Sequence, residues 1–219
     1  MERVEKRKPL VITLVGMSGS GKSCWSKKLA KRGFRRICLD DLIEKDLSSE
    51  LEKYGAKGIQ DVARWMGLPY EGRFERNQAM YLNSEIRNMR KIIDRLKRGV
   101  EEDTVIDTTG SVIYTGNSIR KSLKRYSLVI YMETPMSALS EMLRIFMEKP
   151  KPVIWKNMFR KNKNETDEQA LRQCYPKLLR QRIKLYKKYA DVIMRYRLKN
   201  RPAFAVDDFI RFVKKGSFL

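Results

Sequence analysis

The stretch Gly16-Met17-Ser18-Gly19-Ser20-Gly21-Lys22-Ser23 satisfies the pattern G-x-x-x-x-G-K-[ST] at every fixed position. The pattern carries a mechanism only between a strand and a helix. Leu10 to Val15 before it is a short run rich in β-branched residues that reads as a buried parallel strand, and Cys24 to Lys31 after it reads as the start of a helix. In that setting glycines let backbone N–H groups curl around phosphate oxygens, and the helix N-terminus adds partial positive charge. Lys22 reaches the β and γ phosphates, and the Ser23 hydroxyl is a ligand for Mg²⁺. The octapeptide therefore predicts a nucleoside triphosphate site built from Gly16, Ser18, Gly19, Ser20, Gly21, Lys22 and Ser23.

Composition bounds the rest. A chain of 219 residues supports one well-buried α/β domain over 1–219, with room for a small mobile insertion. It holds no run of eighteen apolar residues, and Met1 to Pro9 leads into the first strand without a separate apolar signal region, which predicts a cytoplasmic protein with no membrane segment. Three cysteines, Cys24, Cys38 and Cys174, lack metal-type spacing and predict reduced thiols, with Cys24 and Cys38 as small buried fillers. Net charge is +22, from 48 Lys and Arg against 26 Asp and Glu. The basic residues recur along predicted helices at 87–98, 120–125 and 177–188 and in the stretch 149–163, a distribution of solvated faces more than of one polyanion-binding patch. There is no histidine, so acid–base chemistry falls to carboxylates, Lys, Tyr or Cys.

Along the chain, Gly33 reads as the glycine after a helix, and Phe34 to Leu39 as a second strand ending at Asp40-Asp41. A helix is predicted over 41–54, a poorly periodic region over 55–72, and a long helix over 77–98 with Ile86, Met89, Ile93 and Leu96 inward. Strands follow at 104–107 and 127–132, helices at 117–124 and 135–148, then a basic, Asn-rich break from Lys149 to about 165 that reads as a lid. A helix over 167–189, a strand over 190–194 and a helix over 207–215 complete the chain. Strands alternating with helices predict a three-layer P-loop NTPase fold on a mostly parallel five-stranded sheet. The carboxylate of Asp40 stands at a strand's C-terminal end, where such sheets bind ligands. Trp25, Trp65 and Trp155 read as packing anchors.

The order of these pieces resembles shikimate kinase, in the nucleoside monophosphate kinase-like branch of P-loop proteins, over most of residues 10–213. Leu14 through Ser23 carries the strongest likeness, with Cys24 where the family usually has Thr. Asp40 with Leu42-Ile43-Glu44 is similar to the family's aspartate that holds the substrate hydroxyl. Lys151-Pro152-Val153-Ile154 resembles the lid signature, Lys151 standing in for its phosphate-clamping arginine, and Arg144 matches the arginine that packs on adenine. Arg182-Ile183-Lys184-Leu185-Tyr186 resembles the helix whose arginine pairs with the substrate carboxylate, and Arg201-Pro202 falls near the adenine-contacting loop. The resemblance implies ATP and Mg²⁺ as cofactors and a small hydroxyl-bearing substrate.

The departures concern metal and acceptor. The family's metal-supporting acid is Cys38 here, and Asp107, in the position of a Walker B acid, is the candidate replacement. The carboxylate-gripping segment becomes Phe74-Glu75-Arg76-Asn77-Gln78, which leaves Arg73 or Arg76 to compensate, and the family's triple glycine becomes Thr108-Thr109-Gly110, keeping only Gly110. Three readings follow: a shikimate kinase-like phosphotransferase acting on a small metabolite with Lys22, Asp40 and Lys151 at the chemistry; a P-loop kinase for a nucleoside, nucleotide or polynucleotide end; and an ATP-binding, nucleic-acid-binding or regulatory protein with weak catalysis.

Overall fold

A computed structural model describes residues 7–55 and 59–216 of the chain. Its five strands are β1 (Val11–Val15), β2 (Arg35–Cys38), β3 (Thr104–Asp107), β4 (Leu128–Met132) and β5 (Val192–Met194). They form one sheet in the order β2-β3-β1-β4-β5, with every pairing parallel. The helices are α1 (Lys22–Ala30), α2 (Leu39–Asp46), α3 (Ser48–Glu52), α4 (Ile59–Met66), α5 (Phe74–Arg98), α6 (Asn117–Tyr126), α7 (Leu139–Glu148), α8 (Asp167–Tyr189), α9 (Tyr196–Lys199) and α10 (Val206–Gly216).

Side chains alternate across each strand, so the sheet separates two apolar layers. Ile12 and Leu14 of β1, Val105 of β3, Ile130 and Met132 of β4 and Val192 and Met194 of β5 pack with Trp25 and Leu29 of α1 and Phe209 and Val213 of α10. Val15, Ile106, Val129 and Tyr131 face the other way, into the larger core contributed by α2 to α8. Trp25 stacks on Phe209 at 4.8 Å between ring centroids and meets Phe204 edge-on at 5.6 Å. All three tryptophans are buried, as packing anchors should be.

Local chemistry explains the element ends. α1 closes in a Schellman turn: Phe34 N–H donates to Leu29 O and Gly33 N–H to Ala30 O, with Gly33 at φ 87°, where a Cβ would be strained. Thr166 and Gln169 form a reciprocal capping box that starts α8 at Asp167.

The parallel register aligns the strand C-termini: Leu14 pairs with Asp107, Cys38 with Asp107, Val15 with Tyr131 and Met132 with Met194. The chain leaves β1 for β2 on one side, returns through β3, and then crosses to β4 on the other. The crevice beside β1 at this edge is therefore the topological switch point.

Several sequence boundaries change. The second strand stops at Cys38, and the next helix begins at Leu39, so Asp40 lies in its first turn while Cys38 occupies the N-cap. The single helix expected over 41–54 is two helices broken at Leu47. The stretch 55–72, expected to be irregular, contains α4, with Val62, Ala63, Trp65 and Met66 buried; residues 56–58 of that stretch lie outside the described residues. α9 was not expected at all.

Truncating Trp25 to Ala should cost about 3–5 kcal/mol, the usual range for a buried large aromatic. Urea denaturation measures it; a loss under about 1 kcal/mol would mean that this layer is not held by the Trp25 cluster.

Candidate active site

The glycine loop emerges from β1 with its start and finish held differently. Gly16 has φ 150°, and a Cβ there would lie 2.8 Å from Ser20 Oγ and 2.9 Å from the Met132 carbonyl, so only glycine lets the turn press against β4. Ser18 and Gly19 form an exposed lip, while Gly16, Ser20 and Lys22 are buried. Lys22 Nζ donates to the carbonyls of Gly16 at 2.8 Å and Met17 at 2.9 Å. This turns two loop carbonyls toward a cation and leaves the opposite side of the loop for its amides.

Around Lys22 stand two carboxylates and two cations. Burial lowers the Lys22 ammonium below the usual lysine range; Asp40 and Asp107 oppose that shift, and Lys151 and Arg182 add to it. The carboxyl of Asp40 is raised, first by burial and then by Asp107, against the pull of Lys22. Tyr81 Oη from α5 lies 3.4 Å from Asp40 Oδ1. Four of the sequence-predicted residues, Lys22, Asp40, Asp107 and Lys151, thus share one electrostatic cluster with Arg182.

Arg182 departs from its neighbours. Lys177, Arg180, Lys184, Lys187 and Lys188 on the same helix are exposed, whereas Arg182 is only 5% exposed. It sits on the apolar stripe with Leu178, Leu179 and Tyr186. Its Nη2 donates to Ile154 O at 2.8 Å, its guanidinium lies over the Tyr114 ring at 5.3 Å, and its Nε is buried without a partner. Among the described residues it makes no ion pair. A cation is being held out of water with no carboxylate at ion-pair distance among the described residues.

Gly110 brings the loop after β3 to this cation. A Cβ on Gly110 would lie 3.3 Å from Arg182 Nη1 and 3.6 Å from Ser18 N, and Tyr186 Oη donates to Gly110 O at 2.5 Å. The hydroxyls of Thr109 and Ser111 turn instead toward Glu85 of α5, which is wholly buried and accepts from both, from Ser111 Oγ at 2.6 Å. Burial raises the Glu85 carboxyl to about 7; the two hydroxyls and Arg182 restrain the shift, and Asp40 adds to it. Glu85 escaped the sequence reading. Its signal was position, since it falls in register with Tyr81, Leu82, Asn88 and Met89 on the buried stripe of α5.

Four other expected residues are exposed, and three of them are engaged with acids. Arg73 pairs with Glu71 at 2.6 Å and Arg76 with Glu50 at 3.4 Å, both exposed. Arg144 bridges Glu141 and Glu148 on the surface of α7, and Arg201 is exposed after α9. Cys24 is exposed rather than a buried filler, because it points off α1 away from the sheet; Cys38 is half-buried. The stretch 149–165 is irregular, as expected, but its centre is docked: Val153, Ile154 and Trp155 are buried, and Trp155 N–H donates to Gln78 Oε1 at 3.2 Å. Gln78 in turn donates to Glu75 at 2.7 Å. Gln78 thus ties α5 to this segment, with Glu75 as its second partner.

Asp107 is 2% exposed, and its Oδ2 accepts from Ser26 Oγ at 2.8 Å and from Arg36 at 2.9 Å. Ser23 is exposed in the first turn of α1. Hydroxyl and carboxylate oxygens are the donors Mg²⁺ takes, and such a site needs only one or two of them beside phosphate oxygens, so the pair fits in kind. Among the described residues there is no cluster of three His, Cys, Asp or Glu to cage a metal by itself. Cys38 is a poor donor, its thiol pushed by burial to about 11.

A groove of about 1380 Å³ opens at the opposite, N-terminal edge of the sheet, between the starts of β1, β4 and β5. None of the expected site residues lines it.

A family model described as an AAA domain matches residues 11–203. The chain belongs to the AAA domain family. Among solved structures, this AAA domain is similar to a shikimate kinase from Acinetobacter baumannii in complex with shikimate, at 22% identity and TM-score 0.58 over 98% of this chain and 97% of that one. It is also similar to shikimate kinases from Bacteroides thetaiotaomicron (17% identity, TM-score 0.55, 96% of this chain and 99% of that one) and Aquifex aeolicus (16%, 0.53, 95% and 99%). The fold of this AAA domain is therefore that of the shikimate kinases, on a five-stranded parallel P-loop sheet. No curated protein matches the sequence.

The Glu85 carboxyl ties proton binding to stability. Its folded pKa of about 7 stands above the ordinary 4.5, so its contribution is complete below about 4.5 and is lost as pH rises through 7. Wild-type unfolding free energy should fall by a share on the order of 3 kcal/mol across that window. Glu85→Gln should flatten the profile, as read by denaturation at pH 5, 6, 7 and 8, and an equally steep fall in the variant would assign the effect to another group.

Proposed function

We propose that this chain is an ATP-dependent phosphotransferase that moves a γ-phosphoryl group to a hydroxyl of a small anionic metabolite. The observation that carries the reading is the convergence of Lys22, Asp40, Lys151 and the buried Arg182 at one crevice beside the glycine loop. Phosphoryl transfer asks a protein for positioning and charge neutralisation more than for covalent chemistry, and these groups supply both.

The loop amides of residues 16–23 cradle the polyphosphate, and Lys22 moves from its carbonyl partners to the β and γ oxygens. Gly16, Ser18, Gly19, Ser20, Gly21 and Cys24 shape that cradle, with Arg144 and Arg201 as candidates at the adenine. Ser23 and Asp107 would hold Mg²⁺, which, when bound, neutralises charge between the phosphates. Asp40 accepts the proton of the attacking hydroxyl; its raised proton affinity, set by burial, brings it closer to a base's requirement. Arg182, framed by Gly110 and Tyr186, receives the acceptor's anionic group. The stretch 149–165 acts as a lid whose exposed arms, Lys151 included, move on the buried Val153–Trp155 hinge.

The shikimate reading of the acceptor draws on the fold and on Arg182. Gln78 is engaged with Glu75 and with Trp155, and Arg73 and Arg76 with acids. One buried guanidinium is then the main anchor, which suits an acceptor bearing a single carboxylate.

Lys22→Met should lower ATP turnover on the order of 10²–10³-fold, the cost of losing one charged transition-state donor, with the fold checked by circular dichroism. ADP release with shikimate and other hydroxy acids as acceptors is the assay; undiminished turnover in the variant would remove the site. Asp40→Asn should reduce kcat while leaving the Kd for Mg-ATP unchanged, and matched losses in both would make Asp40 structural. The acid limb of the wild-type kcat profile should lie above the ordinary aspartate range, because burial raises Asp40 and activity needs its ionised form.

A further inference from the structure

Behind the glycine loop lies a second buried lysine that the sequence reading did not mark. Lys199, the last residue of α9, is 7% exposed. Its Nζ donates to the carbonyl of Ser20 at 2.5 Å and to the carbonyl of Glu133 at 2.7 Å. Both acceptors are neutral. The carboxylate of Glu133 is turned to other donors, Arg195 Nη1 at 3.1 Å and Tyr196 N at 2.9 Å. Lys199 makes no ion pair among the described residues.

A loop that aims its N–H groups at an anion must turn carbonyls outward, and buried carbonyls require donors. Here lysine ammoniums supply them, Lys22 to residues 16 and 17 and Lys199 to residue 20. An ammonium kept from water without a carboxylate partner is costly in itself, and the cost is offset when a polyanion arrives on the other side of the loop.

We propose that Lys199 is a positioning residue for the phosphate loop: it pins the Ser20 carbonyl to the backbone leaving β4 and sets a positive charge behind the loop that favours bound polyphosphate. This rests on the kinase reading above. Burial first and then Lys22 bring the ammonium down to about 8, with Glu133 acting in the opposite direction. The other groups facing it are Arg195, paired to Glu133, and the Tyr196 ring at 5.5 Å. A polyanion entering the loop raises this pKa, so binding near pH 8.5 takes up a fraction of a proton, about half for a one-unit rise, and affinity falls as pH rises. A one-unit rise on binding corresponds to about a fivefold weakening between pH 7 and pH 9. Burial lowers the Lys22 ammonium as well, and the diagnostic is therefore the difference between wild type and Lys199→Arg, whose guanidinium stays charged.

The experiment is isothermal titration of the full chain with Mg-ATP and, separately, with inorganic tripolyphosphate at pH 7.0 and 9.0, in two buffers of different ionisation enthalpy. Wild type should weaken toward pH 9 with proton uptake. Lys199→Arg should reduce both the weakening and the uptake, and Lys199→Met should bind about tenfold more weakly at pH 7. A folded Lys199→Met that binds as wild type does, or a Lys199→Arg profile superimposable on wild type, would overturn the role of Lys199. If Lys199→Met fails to fold, the Lys199→Arg profile decides alone. Absence of any wild-type binding would instead overturn the kinase reading, and this inference with it.

Discussion

The close approach of the β1–α1 turn to β4 governs the rest of the molecule. Gly16 leaves β1 so near the Met132 carbonyl that no Cβ fits between them. That contact aims the loop along the edge where all five strands end. The register then does the remaining work. Pairing of Leu14 and Cys38 with Asp107 brings the ends of β1, β2 and β3 level. α2 starts one residue beyond β2, so Asp40 can be placed beside Lys22 only through that alignment.

Ionisable groups are distributed unevenly. Many ion pairs, such as Arg172 with Glu168 or Arg211 with Asp208, are exposed or partly so and close in sequence, and pairs of this kind add little stability. By contrast Lys22, Glu85, Asp107, Arg182 and Lys199 are all under 9% exposed and gather at the strand ends. Three of these five, Lys22, Arg182 and Lys199, bond to carbonyls without an ion pair among the described residues. Burying charge in this way works against folding, which argues that the edge is shaped for a ligand rather than for stability.

Much of this was legible because strong local rules apply where they were used. The glycine pattern and β3 follow from spacing and β-branching, and α8 spans the residues expected of it, starting at a capping box that the sequence also carries. Arg182 was taken from the resemblance alone, and its place on an apolar stripe is what sets it apart from the basic residues around it. The same logic applied to α5 would have found Glu85, a carboxylate in a buried register. Lys199 could not be found that way. α9 is a four-residue helix with no periodicity to read, and its meaning comes from a contact with Ser20 across 179 positions. α4 escaped because glycines at 55 and 67 frame a short segment and hid its Val62, Trp65 and Met66 face. Arg144 was placed at the adenine by resemblance and Arg73 and Arg76 were offered in place of a missing family arginine, and the carboxylates that engage all three are nearby acids that a motif does not weigh.

Amide hydrogen exchange with and without Mg-ATP tests the central claim most directly, because it reports on the loop without requiring the acceptor to be known. The account predicts slowed exchange concentrated at residues 16–23, with little change at the groove on the opposite edge of the sheet. Exchange at 16–23 that is indifferent to saturating Mg-ATP would contradict it.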